Sequence, residues 1–204
     1  MRRPSPDFHP VLRLLHWLTA LAVLAMLFIG LLMVSEAGPL YPRLLALHRP
    51  LGLLILLLVM VRLPLRLLLG APALPADLPP FQKRAAHASH GLLYAALFAM
   101  PLIGWGLLSA GGYPVRVTGR LVLPPILPHD LALYAVLRSA HGLIALALLL
   151  LVMAHLGAAL IHGLIRRDGV LRSMTLGHAK PAGPTEPVPV PVHDEPDPAE
   201  PEAS

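Results

Sequence analysis

Four stretches of this chain are apolar for longer than a bilayer is thick. Leu14–Val34, Leu47–Leu69, Ala85–Leu108 and Ser139–Ile165 each supply the roughly 20 residues that cross about 30 Å of hydrocarbon at about 1.5 Å per residue. Hydrocarbon offers backbone amides no water, so a spanning segment must satisfy its own hydrogen bonds, and runs of this length do so as helices. The composition agrees, with 56% hydrophobic and 13% charged residues, which is not that of a water-soluble globule. Pro and Gly clusters punctuate the runs at Gly38-Pro39, from Gly70 to Pro80, and from Gly111-Gly112 to Pro128. The expected fold is all-α, an integral membrane four-helix bundle. A cleaved signal peptide is the alternative for the first run, because Arg2, Arg3 and Arg13 precede it; its apolar stretch is too long for that, and three more spans follow.

Charge orients the bundle. The N-terminus, the second connection and the C-terminal flank carry eleven of the sixteen Lys and Arg residues, against five in the first and third connections. Both termini are therefore expected in the cytoplasm. The divisions are a cytoplasmic N-terminus (1–13), a membrane domain (14–174) and a tail (179–204). That tail holds eight prolines, six acids and one lysine, too little apolar surface to offset its ordering entropy, and it is expected to be disordered. Without it the chain has fifteen bases and five acids, a basic body distributed along a membrane rather than a nucleic-acid-binding face.

The absence of cysteine removes disulfides, thiolate metal sites and covalent haem attachment. What remains for chemistry is histidine. His16, His48, His87, His90, His141, His155 and His162 lie in or at the edges of the spans, whereas all eleven acids lie outside them. Ionisable groups at membrane depth are costly and usually functional. Proton-coupled and divalent-cation transporters place carboxylates there, so imidazoles without carboxylates or thiols suggest haem iron instead.

Spacing supports that reading. His141 and His155 are fourteen residues apart in the fourth span, about 21 Å of rise and about 40° short of four full turns. They share a face near opposite ends of one helix, and each needs a partner at matching depth. His16 matches His155 on the cytoplasmic side and His48 matches His141 on the periplasmic side, giving two stacked bis-histidine sites. Gly30, fourteen residues after His16, and Gly52, one turn after His48, offer bare backbone where a macrocycle passes; ordinary helix packing is the alternative. Arg62, fourteen residues after His48, sits at cytoplasmic depth, placed either for a haem propionate or for snorkelling to the headgroups.

In order along the chain the segments LHW, LH, VMVRLPLR, AHASHGLLYAALFAMPLIGW and SAHGLIALALLLLVMAHLGAALIHGLIRRDGVLRSM resemble the bacterial di-haem cytochrome b561 family, from Arg13 to Met174. The resemblance implies two non-covalent b haems in the inner membrane, with His16, His48, His141 and His155 matching the family's ligand positions, and electron exchange with ubiquinone. Some members are thought to oxidise superoxide at the periplasmic face. The periplasmic connections here carry five arginines against Glu36 and Asp130, a surface suited either to steering a small anion or to pairing propionates.

Three histidines remain. His87 and His90 share a face at the start of the third span, and His162 follows His155 by two turns. An imidazole that does not bind iron can donate to a quinone carbonyl or deliver a proton, so His162, His87 and His90 form the candidate quinone site; interfacial contact with headgroups is the alternative, and His90 as a replacement ligand is another. Trp17, Trp105 and Tyr94 read as interfacial belt residues, and Pro101 as a kink. The functional expectation is electron transfer between a periplasmic one-electron donor, superoxide or a redox protein, and ubiquinone. Competing readings are the cytochrome subunit of a larger dehydrogenase or hydrogenase, a haem-free histidine-lined metal transporter, and a scaffold whose histidines only bridge helices.

Overall fold

In the computed structural model, residues 7–75, 77–119, 121–175 and 177 are described; the expected tail from residue 179 lies outside them. Helices α1 (Pro10–Ser35), α2 (Tyr41–Leu69), α3 (Pro80–Ala110) and α4 (Leu131–Leu160) are followed by a π-helical turn, Ile161–Arg166, and a short α5 (Val170–Met174). All four long helices are apolar enough to cross a membrane. Between α3 and α4 a small hairpin pairs β1 (Val115–Arg116) antiparallel with β2 (Val122–Leu123).

The helices start four, six, five and eight residues before the apolar runs do. Hydropathy marks the hydrocarbon, whereas local chemistry marks the helix. Proline occupies the first turn of α1, α2 and α3, where its missing N–H leaves no bond unmade. Asp130 caps α4 by accepting from the Leu133 N–H at 2.9 Å, the favoured N-cap arrangement. At the other end of α2, Gly70 takes φ 75° and returns its N–H to the Arg66 carbonyl, a conformation glycine adopts without steric cost. Pro50 and Pro64 lie inside α2 and Pro101 inside α3, each removing one ladder bond, and both helices run through them.

Successive helices pack side by side, α1 on α2, α2 on α3 and α3 on α4, so the chain runs up, down, up and down. One end of the bundle, here the terminal end, carries the start of α1 and the end of α4; the other, the hairpin end, carries β1 and β2. The two ends are tied differently. At the terminal end the Trp17 indole donates to the Met174 carbonyl at 3.0 Å and Arg13 donates to the Thr175 carbonyl at 3.1 Å, fastening the segment after α4 to α1. At the hairpin end Trp105 donates to the Pro124 carbonyl and the Ser109 hydroxyl accepts from the Ile126 N–H, folding the third connection back on α3.

The apolar core sits at mid-height: Ala22, Val23, Ile55, Val59, Leu97 and Leu148, flanked by Leu51, Leu93, Tyr94 and Val152 among others. Leu21, Val34, Leu68, Leu143 and Ile165 remain largely exposed, as residues facing lipid should be. Lipid is as apolar as a leucine side chain, so the core holds by close packing rather than by escape from water. Ile55→Ala should therefore cost mainly its cavity term, at the low end of the usual range, about 2 kcal/mol. Leu143→Ala, which opens no internal space, should be nearly neutral. Reversible denaturation in mixed micelles measures both, and equal losses at the two positions would contradict the packing account.

Candidate functional site

The four helices place their functional side chains in tiers. Seven residues of α-helix turn through 700°, about 20° short of two turns, and rise about 10 Å, so residues seven apart stack on one face. Val23, Ile55, Leu97 and Leu148 form the middle tier in the core. Seven residues towards the terminal end from each of them stand His16, Arg62, His90 and His155, and seven towards the hairpin end stand Gly30, His48, Gly104 and His141.

Both expected pairs meet across the bundle. The rings of His16 and His155 are 6.2 Å apart between centroids in the terminal tier, and those of His48 and His141 are 6.1 Å apart in the hairpin tier. Two imidazoles on opposite sides of one metal, each bonded at about 2 Å, place their ring centres about 6 Å apart, so both separations suit an iron between the rings. In the hairpin tier, Nδ1 of His48 and of His141 are buried without a hydrogen-bond partner, a cost that ligation or a bound acceptor relieves. Arg49 Nε, beside His48, is buried and unpartnered too, a cationic donor fit for a propionate. Among the described residues no group of three or more His, Asp or Glu is placed to hold a bare metal ion. The donor set is two imidazoles in the hairpin tier and three in the terminal tier, where His90 stands beside the His16/His155 pair, and two imidazoles are what a porphyrin iron takes from protein.

The glycines behave unequally. A Cβ at Gly30 would meet nothing within 4 Å, leaving that face open as expected. At Gly52 it would meet the Met26 methyl at 3.5 Å, so Gly52 packs two helices. The glycine that touches the site is Gly104, where a Cβ would lie 3.4 Å from Cε1 of His141. Fourteen residues after His90, it has the same offset that relates the histidines.

The terminal tier is more crowded and more polar. His90 joins the pair, with its ring 5.6 Å from that of His155. Arg62 Nη2 donates to Nδ1 of His16 at 2.9 Å and its guanidinium lies 5.5 Å from the Tyr94 ring centre. An imidazole that accepts at Nδ1 carries its proton on Nε2. Ligation by His16 Nε2 therefore requires Arg62 to turn away, and a haem propionate is the kind of acceptor that would draw it. Tyr94 itself is packed against the core with its hydroxyl buried and unpartnered, a correction to the belt reading, since it lies well inside the thirty-one-residue α3. Trp17 and Trp105 do lie near helix ends, but their indole N–H groups bond to chain carbonyls.

His162 and His87 part company. His87 is exposed on α3. His162 sits in the π-helical turn, half-buried, with Nδ1 donating to Oδ2 of Asp168 at 2.5 Å. Asp168 also accepts from Arg166 Nε at 3.2 Å and from the Val170 N–H, and Arg166 reaches across to Asp77 in the second connection at 2.5 Å. Arg167 (φ 51°) and Gly169 (φ 83°) make the left-handed turns that bring Asp168 back. Asp168 escaped the sequence reading because the contact spans six residues, a spacing that an unbroken α-helix does not bring together.

Residues 7–177 match the prokaryotic cytochrome b561 family. "Cytochrome b561 homolog 2" of Escherichia coli (strain K12) is 30% identical over 161 residues, covering 78% of this chain and 86% of that protein. "Cytochrome b561 homolog 1" of the same organism is 30% identical over 127 residues, 62% of this chain and 72% of that protein. A Yersinia pestis protein named "Probable superoxide oxidase CybB" is 28% identical with the same coverage.

Burial pushes the Asp168 carboxyl up, but the hydrogen bonds from His162 and Val170 and the nearby charge of His162, with Arg166 adding to them, outweigh it and hold the group below the usual carboxylate range. A depressed folded value stabilises the corner above the unfolded value, about 4, and that contribution disappears as pH falls through the folded one. Trp17, bonded to α5 through Met174, is the reporter, read in a Trp105→Phe background. Its emission should hold from pH 7 to about 5 and shift only below about 4. The same acid transition persisting in Asp168→Asn would assign it elsewhere.

Proposed function

The chain belongs to the prokaryotic cytochrome b561 family, b-haem proteins of transmembrane electron transfer, and we propose that it conducts single electrons through two bis-histidine b haems from a donor outside the membrane to ubiquinone within it. The observation that carries this reading is the pair of cross-helix imidazole contacts, 6.2 Å and 6.1 Å between ring centres, two tiers apart on one four-helix frame. His16 and His155 hold one haem, His48 and His141 the other. Bound there, the groups supply the one-electron iron couple. The chain would supply the imidazole ligands, an apolar middle tier of Val23, Ile55, Leu97 and Leu148 between the sites, Arg62 and Arg49 as propionate partners, open backbone at Gly30 and a close approach of Gly104 to His141.

Excess Lys and Arg at the terminal end supports placing both termini in the cytoplasm of a bacterium, with the protein in the inner membrane. The hairpin end then faces the periplasm, where Arg43, Arg49, Arg116 and Arg138 give it a positive field. That field suits a small anionic reductant, and the name of the Yersinia relative supports superoxide as the donor. Two superoxide ions and one quinone with two protons give two dioxygen molecules and one quinol, balanced in charge and electrons. The quinone is assigned to the terminal end, beside His162, with His90 and His87 on the neighbouring helix.

Haem stoichiometry on detergent-purified protein tests the core of the proposal. Two b haems per chain are expected, with one site lost or respectively altered in each of His16→Ala, His48→Ala, His141→Ala and His155→Ala. Gly104→Leu should disturb the His48/His141 site alone, because its new side chain meets His141. Well-folded, fully supplied protein without haem would overturn the reading, as would loss of both haems from every histidine variant alike.

A further inference from the structure

We propose that Asp168 is the positioning residue of a proton-donating dyad with His162, which serves a lipid-soluble quinone at the terminal end; the inference rests on the quinone assignment made above. His162 has an anionic partner, Asp168 Oδ2 at 2.5 Å. Because a carboxylate only accepts, the shared proton lies on Nδ1. The ring is thereby oriented, and Nε2 is the nitrogen left for a quinone oxygen. The carboxylate is itself held. Its side chain is 12% exposed, it takes the Val170 N–H, and it shares Arg166 with Asp77, which is 68% exposed. Among the described residues, the charged groups bonded around the dyad include Arg166 on its own segment and, through Arg166, Asp77 from the connection before α3.

The backbone is shaped for this contact. α4 does not simply end; it widens into a π-helical turn at Ile161–Arg166 and then reverses through left-handed Arg167 and Gly169. π-turns are rare and recur at functional sites. Leu171 packs against Gly163, where even a Cβ would clash, so α5 closes on the turn that carries His162. His162 follows His155 by seven residues, about 10 Å further towards the terminal end, one tier out from the haem ligands.

In the dyad's step, His162 acts as the imidazolium, with protons on both nitrogens beside the Asp168 carboxylate; it gives its Nε2 proton to a quinone oxygen, forming the O–H bond and leaving the neutral ring with Nδ1–H still bonded to Asp168, and water at the terminal end then returns a proton to Nε2. Quinol formation takes two electrons, each from the one-electron donor on the hairpin side, and two protons, of which this step provides one per passage. Asp168 holds the ring and the charge and does not itself leave or accept a proton.

Full-length protein in liposomes, its haems pre-reduced chemically and then mixed with a short-chain ubiquinone, gives the test, with haem absorbance following reoxidation. Asp168→Asn should leave haem content and spectrum unchanged, keep the quinone KM within about twofold and slow the maximal rate at least about tenfold. Asp168→Glu should restore most of that rate. His162→Gln and the His162→Gln, Asp168→Asn double variant should fall to the same level, because partners in one device are not additive. A wild-type rate in Asp168→Asn, or independent losses that multiply in the double variant, would overturn the dyad while leaving the quinone assignment standing. Failure of quinone to reoxidise the wild-type haems, with the haems intact and reducible, would bring down the assignment and the dyad together.

Discussion

The structure depends on a near-coincidence between seven residues and two helical turns. Side chains seven apart drift by only about 20°, and helices that keep such a repeat can pack nearly parallel over their whole length. In this chain the repeat is used for chemistry rather than for a continuous apolar seam. Each helix contributes one residue to each of three tiers: imidazoles, an arginine or glycines in the outer two, and Val23, Ile55, Leu97 and Leu148 in the middle. On the proposed reading the arrangement needs no carboxylate in the membrane, because the propionates of bound haem would answer the buried arginines and its iron the imidazoles. Removing Asp and Glu from the spans thus leaves His16, Arg62, His90 and His155 without a competing ion pair.

The two ligand tiers are built to different specifications. On the hairpin side the positions not occupied by ligands are Gly30 and Gly104, and His48 and His141 keep orphaned Nδ1 atoms. On the terminal side the same positions are Arg62 and His90, one bonded to His16 and the other in ring contact with His155. A cation near a redox centre favours the form that carries the extra electron. Each tier holds such a cation, Arg49 beside His48 and Arg62 on His16, and the proposed route would carry electrons from the hairpin end to the end where His162 stands.

Much of this was legible from one sequence, for reasons that follow from helix geometry. The spans could be read because hydrocarbon imposes a length, and the pairs His16/His155 and His48/His141 because depth in a membrane is countable along each helix. The same counting reaches Gly104 from His90, yet a glycine carries no chemical signal until its neighbour, His141, is seen. Tyr94 was misread because aromatics near helix ends usually sit at the interface, and α3 turned out to begin five residues before its apolar run. Arg62 was placed at the right depth, but its bond to His16 depends on a rotamer that no sequence spacing fixes.

Asp168 shows the limit most clearly. Its bond to His162 requires the helix to stop being an α-helix: in an uninterrupted one, residues six apart point in directions about 120° from superposition and cannot meet. The π-turn, the left-handed Arg167 and Gly169, and the packing of Leu171 on Gly163 together supply the missing rotation. A chain that needed only to leave the membrane at Ile165 would have no use for such a turn, since a glycine stop like that at Gly70 would serve. The extra geometry places the carboxylate just beyond the hydrocarbon, where it is held by Arg166 and within reach of water, while the imidazole it orients remains within the spanning segment. On the proposed reading electrons would pass between the tiers inside the bundle and protons would enter at the turn, and separating the two routes in this way would let a bundle without intramembrane acids carry out proton-coupled chemistry at its edge.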